Sequence, residues 1–270
     1  MKYRFISDSH THSECSFDGK DSVIMMCQQA SGIGLYSLTI TDHCECNEYF
    51  EKDVRSDISR SVIDIAKARA MYHDSLKVYT GIELGQPTQN VDAAKDALSI
   101  GDFDFVLGSL HNLKDEQDFF YLQYDITTAY ALLDRYCKEL LELAEQNMFD
   151  SLAHVDYPLR YIIATSEVNV NLNKYHDILD EILLTLVRNE KALEINTSGL
   201  RQVIGRTLPN IHVLRRFREL GGKYVTLGSD AHRWADIGSG IEDALDMLRQ
   251  CCFTHFTVYE KRQPKMLPIL

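Results

Sequence analysis

The chain has 270 residues, of which 45% are apolar and 25% charged, with 14 glycines and 5 prolines. That is enough to bury a full core, and it excludes a largely disordered, fibrous or linker-rich chain. A net charge of -12 argues against a nucleic-acid polyanion or an anionic membrane as main partner, although bound metal ions would let an acidic protein hold an anionic substrate. In chain order, β-rich runs cover Tyr3–Ser7, Leu35–Ile40, Val78–Leu84, Phe103–Leu110, Ser151–Val155, Ala192–Asn196 and Tyr224–Ser229. A late run, His255–Tyr259, reads as an eighth strand or an edge segment. Between the strands lie helical patterns at spacings of three and four. One carries Ile126, Tyr130, Leu133, Cys137, Leu140 and Ala144; a second carries Ile178, Leu179, Ile182, Leu183 and Leu186; a third carries Ile241, Leu245, Leu248 and Cys252. Such alternation predicts a parallel sheet, with no repeat or linker to divide residues 1–270, so one domain is expected.

Seven cysteines, without framework spacing, fit a reduced, cytoplasmic protein. Met1–Asp8 has no apolar leader core, and the densest apolar stretch, Ile182–Val187, is far too short to span a bilayer. Cys44-x-Cys46 lacks a second pair and is weak as a metal motif.

Almost every expected strand ends in a ligand-type residue: Asp8-x-His10-x-His12, Asp42-His43, Glu83, His111, His154, Glu194-x-Asn196 and Asp230-x-His232. An open sheet gathers its site at one switch point, whereas a barrel gathers all its strand ends around one mouth. The distribution therefore favours an α/β barrel. His-x-His in extended chain puts both imidazoles on one side. With Glu83 and Asp230 as anionic partners they form a site for zinc, iron or manganese. So many ligands imply more than one ion and a bridging carboxylate. Such a cluster lowers the pKa of bound water to about 7 and neutralises phosphoryl charge, which suits phosphoester hydrolysis. C–N hydrolysis by an amidohydrolase-like barrel also opens with a His-x-His strand and stays open at this point. His73, His176, His212 and His255 fall away from strand ends and read as surface or helix-end residues.

The segments "SDSHTHSECSFDGK", "TITDHCE", "GIELG", "GSLHNL", "LAHVDYP", "EINTSGLR" and "LGSDAH" resemble, in order and spacing, the polymerase-and-histidinol-phosphatase (PHP) superfamily across nearly the whole chain. Within it they are most similar to the monofunctional histidinol-phosphate phosphatases. The resemblance implies a distorted (β/α)7 barrel, a trinuclear centre of divalent metal ions, and hydrolysis of L-histidinol phosphate, a small phosphate monoester. It assigns His10, His12, Glu83 and Asp230 to a first metal. Glu83 bridges to a second, with His111 and His154. His43 and His232 hold a third, whose remaining ligand is a histidine in many relatives. Here the substitute is Asp18, with Glu14 as the alternative.

Arg160 and Arg201, with Ser198, follow ligand-bearing strands and are expected to grip phosphate, since a guanidinium fork matches its oxygens. His232 or Asp156 is expected to help the leaving oxygen. Asp8 and Asp42 would orient imidazoles, and Glu194 and Asn196 would hydrogen-bond ligands or substrate. The alternatives are a PHP phosphoesterase acting on nucleotides and a non-catalytic PHP domain that binds metal for structure.

Overall fold

The computed structural model describes residues 2–165 and 170–270; Met1, the start of the N-terminal stretch read above, lies outside them. Its main sheet runs, in spatial order, through β1 (Ser7–Asp8), β2 (Ser37–Ile40), β4 (Lys77–Gly85), β5 (Phe105–Ser109), β6 (Ser151–Leu152), β7 (Ala192–Asn196) and β8 (Val225–Gly228), all parallel. A short strand, β3 (His43–Glu45), pairs with the far end of β4, placing His43 opposite Glu83 and Glu45 opposite Gly85. Closure comes through the His-x-His segment. Ser9 N–H donates to the Leu227 carbonyl and His12 N–H to that of Ala231, while Asp230 N–H donates to the His10 carbonyl, each at 2.8 Å. On its other side Thr41 N–H donates to the Thr11 carbonyl at 2.8 Å. The result is the expected distorted seven-stranded (β/α) barrel, its mouth at the strands' C-terminal ends.

Helices α1 (Val23–Gly32), α2 (Val54–Met71), α3 (Val91–Leu98), α4 (Ile126–Gln146), α5 (Leu159–Thr165), α6 (His176–Arg188), α7 (Ile211–Glu219) and α8 (Ile241–Gln250) surround it. The longest, α4, starts on a capping box between Asp125 and Thr128 and stops where Asn147 turns left-handed. Its buried face carries Ala129, Leu133, Tyr136, Leu140, Leu143 and Ala144, so the stripe is rotated from the expected one, and Ile126 is exposed. Cys252 lies beyond α8 and is exposed. The first strand is shifted from Tyr3–Ser7 to Ser7–Asp8, and Tyr3 instead joins the core beside α8, bonding Asp246. The late run is neither an eighth barrel strand nor a lone edge: β9 (His255–Glu260) forms an antiparallel hairpin with β10 (Gln263–Pro268). No helix among the described residues is long and apolar enough to cross a membrane.

One glycine is dictated by the site. A Cβ on Gly228 of β8 would lie 2.4 Å from the His10 Cβ and 2.5 Å from Glu194 Oε1, so only glycine lets these two side chains approach the strand.

Candidate metal centre

The mouth gathers the expected ligands because they sit in, or just beyond, successive strands. Two of the turns there are sharp: His154 and Asp230 leave β6 and β8 with φ of 21° and 56°, a sparsely populated region held in place by the surrounding structure. Glu83 is central and 1% exposed. Its Oε2 lies 3.5 Å from His10 Nε2, 3.6 Å from His12 Nε2 and 2.9 Å from His43 Nδ1. Its Oε1 lies 3.1 Å from both His111 Nε2 and His154 Nε2. Asp230 Oδ1 faces His10 Nε2 at 3.7 Å and His12 Nε2 at 3.4 Å. At the outer side, Asp18 reaches His43 Nε2 at 3.6 Å and His232 Nε2 at 3.1 Å. The rings of His43 and His232 stack on His12 at 4.2 and 4.3 Å. Glu14, the alternative to Asp18, is exposed and does not line this cavity.

The donor set fits divalent cations. His10 Nε2, His12 Nε2 and Glu83 Oε2 are buried, converge, and have no hydrogen-bond partner among the described residues, an arrangement that buried polar atoms seldom sustain unless an ion or water binds them. The other ends of the imidazoles are partly occupied already. His10 Nδ1 meets Glu194 Oε1 at 2.6 Å, and His232 Nδ1 meets the Asp230 carbonyl at 3.0 Å. Burial and the neighbouring His43 and His232 push the His12 pKa down to about 3, leaving it an uncharged imidazole with a lone pair at neutral pH. Burial opposes charge on Glu83, but the His111, His10 and His43 imidazoles outweigh it and hold the carboxyl well below its usual range. Asp230 is likewise depressed against its burial, chiefly by His10 and His12.

Supporting residues divide as expected in one case and differently in others. Glu194 binds His10 and also accepts from His154 N–H at 2.8 Å, and Asn196 donates to Asp230 Oδ2 at 3.2 Å. Asp8 does not orient an imidazole ring. It accepts from Ser229 N–H and Gly238 N–H at 2.8 Å each, and so fixes the loop that carries Asp230. Asp42 accepts from Ser13, Ser16 and Ser61, with Ser16 Oγ in turn 3.4 Å from His12 Nδ1. Cys44 and Cys46 are fully buried in the apolar core, away from the ligands. Glu45 was not read as a site residue; it sits against His43 and His111, and a short strand offers no periodicity by which to find it.

A cavity of about 650 Å³ opens onto the cluster, lined by Phe17, Lys52, Asp118, Phe120, Tyr121, Tyr157, Arg160 and Tyr161 among others. Arg160 is 7% exposed. Its guanidinium lies 4.6 Å from the centre of the Tyr157 ring, with Nη2 3.5 Å from Asp230 Oδ2, and its Nε and Nη2 make no hydrogen bond among the described residues. Three other expected residues are not brought to this wall. Arg201 donates to the Ser229 carbonyl at 2.8 Å and faces Asp236. Ser198 is buried behind Asp230, donating to Asn196 Oδ1 at 2.6 Å and Asp230 Oδ2 at 3.2 Å. Asp156 is drawn away by Arg206, 2.9 Å from its Oδ2, and lines a separate apolar cavity of about 540 Å³.

Residues 8–198 match the PHP domain. The chain is 31% identical to a probable histidinol-phosphatase of Thermotoga maritima, covering 94% of this chain and 96% of that one. It is 29% identical to the histidinol-phosphatase of Lactococcus lactis, over 83% of each. The crystal structure of the histidinol phosphate phosphatase from Lactococcus lactis with zinc, L-histidinol and phosphate superposes with a TM-score of 0.76, at 25% identity, covering 96% of this chain and 98% of that one. By the extent of these matches the chain belongs to the PHP domain family.

Proposed function

We propose that this chain is a metal-dependent phosphomonoesterase that hydrolyses L-histidinol phosphate to L-histidinol and phosphate. The observation that carries this reading is a buried guanidinium whose Nε and Nη2 make no hydrogen bond among the described residues, beside a cluster of imidazole and carboxylate atoms that likewise make none. A buried donor without an acceptor is costly. A phosphate dianion supplies acceptors to Arg160 while its remaining oxygens face the cluster. The relatives' substrate supplies the identity of the ester.

Three divalent ions, zinc, iron or manganese, are assigned to the donors already grouped. The first takes His10, His12, Glu83 and Asp230; the second takes Glu83, His111 and His154; the third takes Asp18, His43 and His232. Bound there, such ions would acidify a water and neutralise charge on the phosphoryl oxygens. The chain's own residues do the rest. Arg160 forms charge-assisted bonds to non-bridging oxygens and is held in orientation by the Tyr157 ring. Glu83 presents one oxygen to each side of the cluster. Glu194 keeps His10 with Nε2 facing inward. His232 belongs with the ligands: its Nδ1 faces the Asp230 carbonyl and its Nε2 faces Asp18, so both ring nitrogens are directed at the cluster's own groups rather than at a leaving oxygen. Asp156, paired with Arg206, is not in reach of that oxygen from its observed position.

Seven unpaired cysteines suit a reducing compartment, and we place the protein in the cytoplasm. The test is release of inorganic phosphate from L-histidinol phosphate beside sugar phosphates, nucleotides and an aryl phosphate. Preference for L-histidinol phosphate supports the reading. Preference for nucleotides would leave a phosphoesterase with a different substrate, and no release from any ester, with metals bound, would leave a non-catalytic metal domain.

A further inference from the structure

Glu45 ends β3 and is 13% exposed. Its Oε1 is hydrogen-bonded to Nδ1 of His111 at 2.9 Å and approaches Nδ1 of His43 to 3.3 Å, where that nitrogen makes no hydrogen bond among the described residues. Its Oε2 accepts from the Gln86 amide. It is pressed against β4, where a Cβ on Gly85 would lie 2.6 Å from Oε2. The carboxylate is thus fixed from behind, and it faces the Nδ1 atoms of two imidazoles that are assigned to different ion positions. The opposite nitrogens face carboxylates assigned as ligands: His111 Nε2 is 3.1 Å from Glu83 Oε1, and His43 Nε2 is 3.6 Å from Asp18 Oδ1. An imidazole whose Nδ1–H donates to a carboxylate presents its Nε2 lone pair on the far side.

We propose that Glu45 is a shared positioning residue, accepting Nδ1–H bonds from His43 and His111 through one oxygen and so turning both Nε2 atoms toward their cations. The proposal rests on the three-ion reading above. Glu83 Oε2 also lies 2.9 Å from His43 Nδ1, but that oxygen faces His10 and His12 as well. Engaged by the first cation, it leaves Glu45 as the acceptor for His43. The first position has its own carboxylate, Glu194, on His10 Nδ1, so it is independent of Glu45. The second and third positions are coupled to each other through a side chain that touches neither ion.

The test is chelator competition on the cadmium-loaded full chain, read by cadmium NMR, in which each bound ion gives its own resonance. The resonance lost in His111→Ala marks the second position and the one lost in His232→Ala marks the third. In Glu45→Gln all resonances should persist at saturating cadmium, but those two ions should bind about 10–100-fold more weakly, with the His10–His12 ion unchanged. Glu45→Asp keeps the charge with a shorter reach and should recover part of the loss. Equal weakening at every resonance in both variants would indicate a general folding role, and no weakening would indicate none; either overturns the assignment. A resonance missing at saturation would make Glu45 a ligand and overturn it as well. Fewer than three resonances in the unaltered protein would count against the three-ion reading, while Glu45 would still be judged on the His111 ion.

Discussion

Arg160 carries the sharpest expectation for a single side chain. If its Nε and Nη2 donate to phosphate oxygens as proposed, those bonds tighten as charge develops, and losing one such donor costs about 2.7–4 kcal/mol. Arg160→Ala should therefore lower kcat/KM by about a hundredfold or more on L-histidinol phosphate and on an aryl phosphate alike, with metal content intact. Lysine should rescue only in part, because it keeps the charge without the fork. Arg201→Ala should have a smaller effect on both esters, since Arg201 bonds a loop carbonyl rather than facing the cavity. An equal loss from the two alanine variants would contradict this distinction. Asp18→Ala should lower metal content by about one ion per chain, while Glu14→Ala leaves it unchanged, measured by elemental analysis. The ligands were legible because they fall at strand ends and include His-x-His. The direction of Arg201 and Asp156 was not. Each follows by a few residues a strand end that carries a candidate site residue, His154 or Asn196, and whether it faces the mouth depends on partners, Ser229 and Arg206, that sequence spacing does not reveal.

Among the elements, the β8 glycine and the end of α1 give opposite predictions for the same substitution. Gly228→Ala would force a methyl against His10 and Glu194, and overpacking of this kind costs about 1–3 kcal/mol. The same change should weaken metal binding, because His10 must move. Gly32, the last residue of α1, has open space around its missing Cβ. Gly32→Ala should stabilise the protein by about 0.4–1 kcal/mol by restricting the unfolded chain. Denaturant unfolding of both variants checks the pair, and a shift of the same sign in each would count against the account. The strands of the barrel were readable from their apolar β-branched runs. Strand β3 was not, since His43–Glu45 has no apolar alternation and owes its existence to pairing with β4. The β9–β10 hairpin was equally hidden. Its turn places Lys261 and Arg262 at φ of 53° and 61°, where Asn-Gly would be the usual signal. The turn is instead held by Asp104, which accepts from Lys261 N–H through its side chain and from Arg262 N–H through its carbonyl.

At the scale of the whole molecule, the cluster couples stability to metal. The proposed ligands come from β3, β4, the ends of β1, β5, β6 and β8 and the loop that holds Asp18, so ions bound there would tie together most of the barrel. Binding to the folded state alone stabilises it by about 2.7 kcal/mol when free metal is a hundredfold above Kd. Chelator treatment should therefore lower Tm, and zinc or manganese added back should raise it in a concentration-dependent way; a Tm indifferent to metal would contradict a cluster that spans the barrel. The overall architecture was legible from the strand–helix alternation together with ligands at many strand ends. Its closure was not, because β1 is only two residues long and the seam is made by the irregular segment around His10–His12 bonding to the end of β8.

The central claim is that one cluster, bridged by Glu83, performs the hydrolysis. The most direct measurement is phosphate release from L-histidinol phosphate by the metal-loaded protein and by Glu83→Gln, with metal content determined on the same samples. Glu83→Gln keeps the size of the side chain and removes the charge shared between cations. The unaltered protein should release phosphate and prefer this ester over sugar and nucleotide phosphates, and Glu83→Gln should lose both metal and turnover by about 10–100-fold or more. A Glu83→Gln protein with full metal content and an unchanged rate would contradict the central claim.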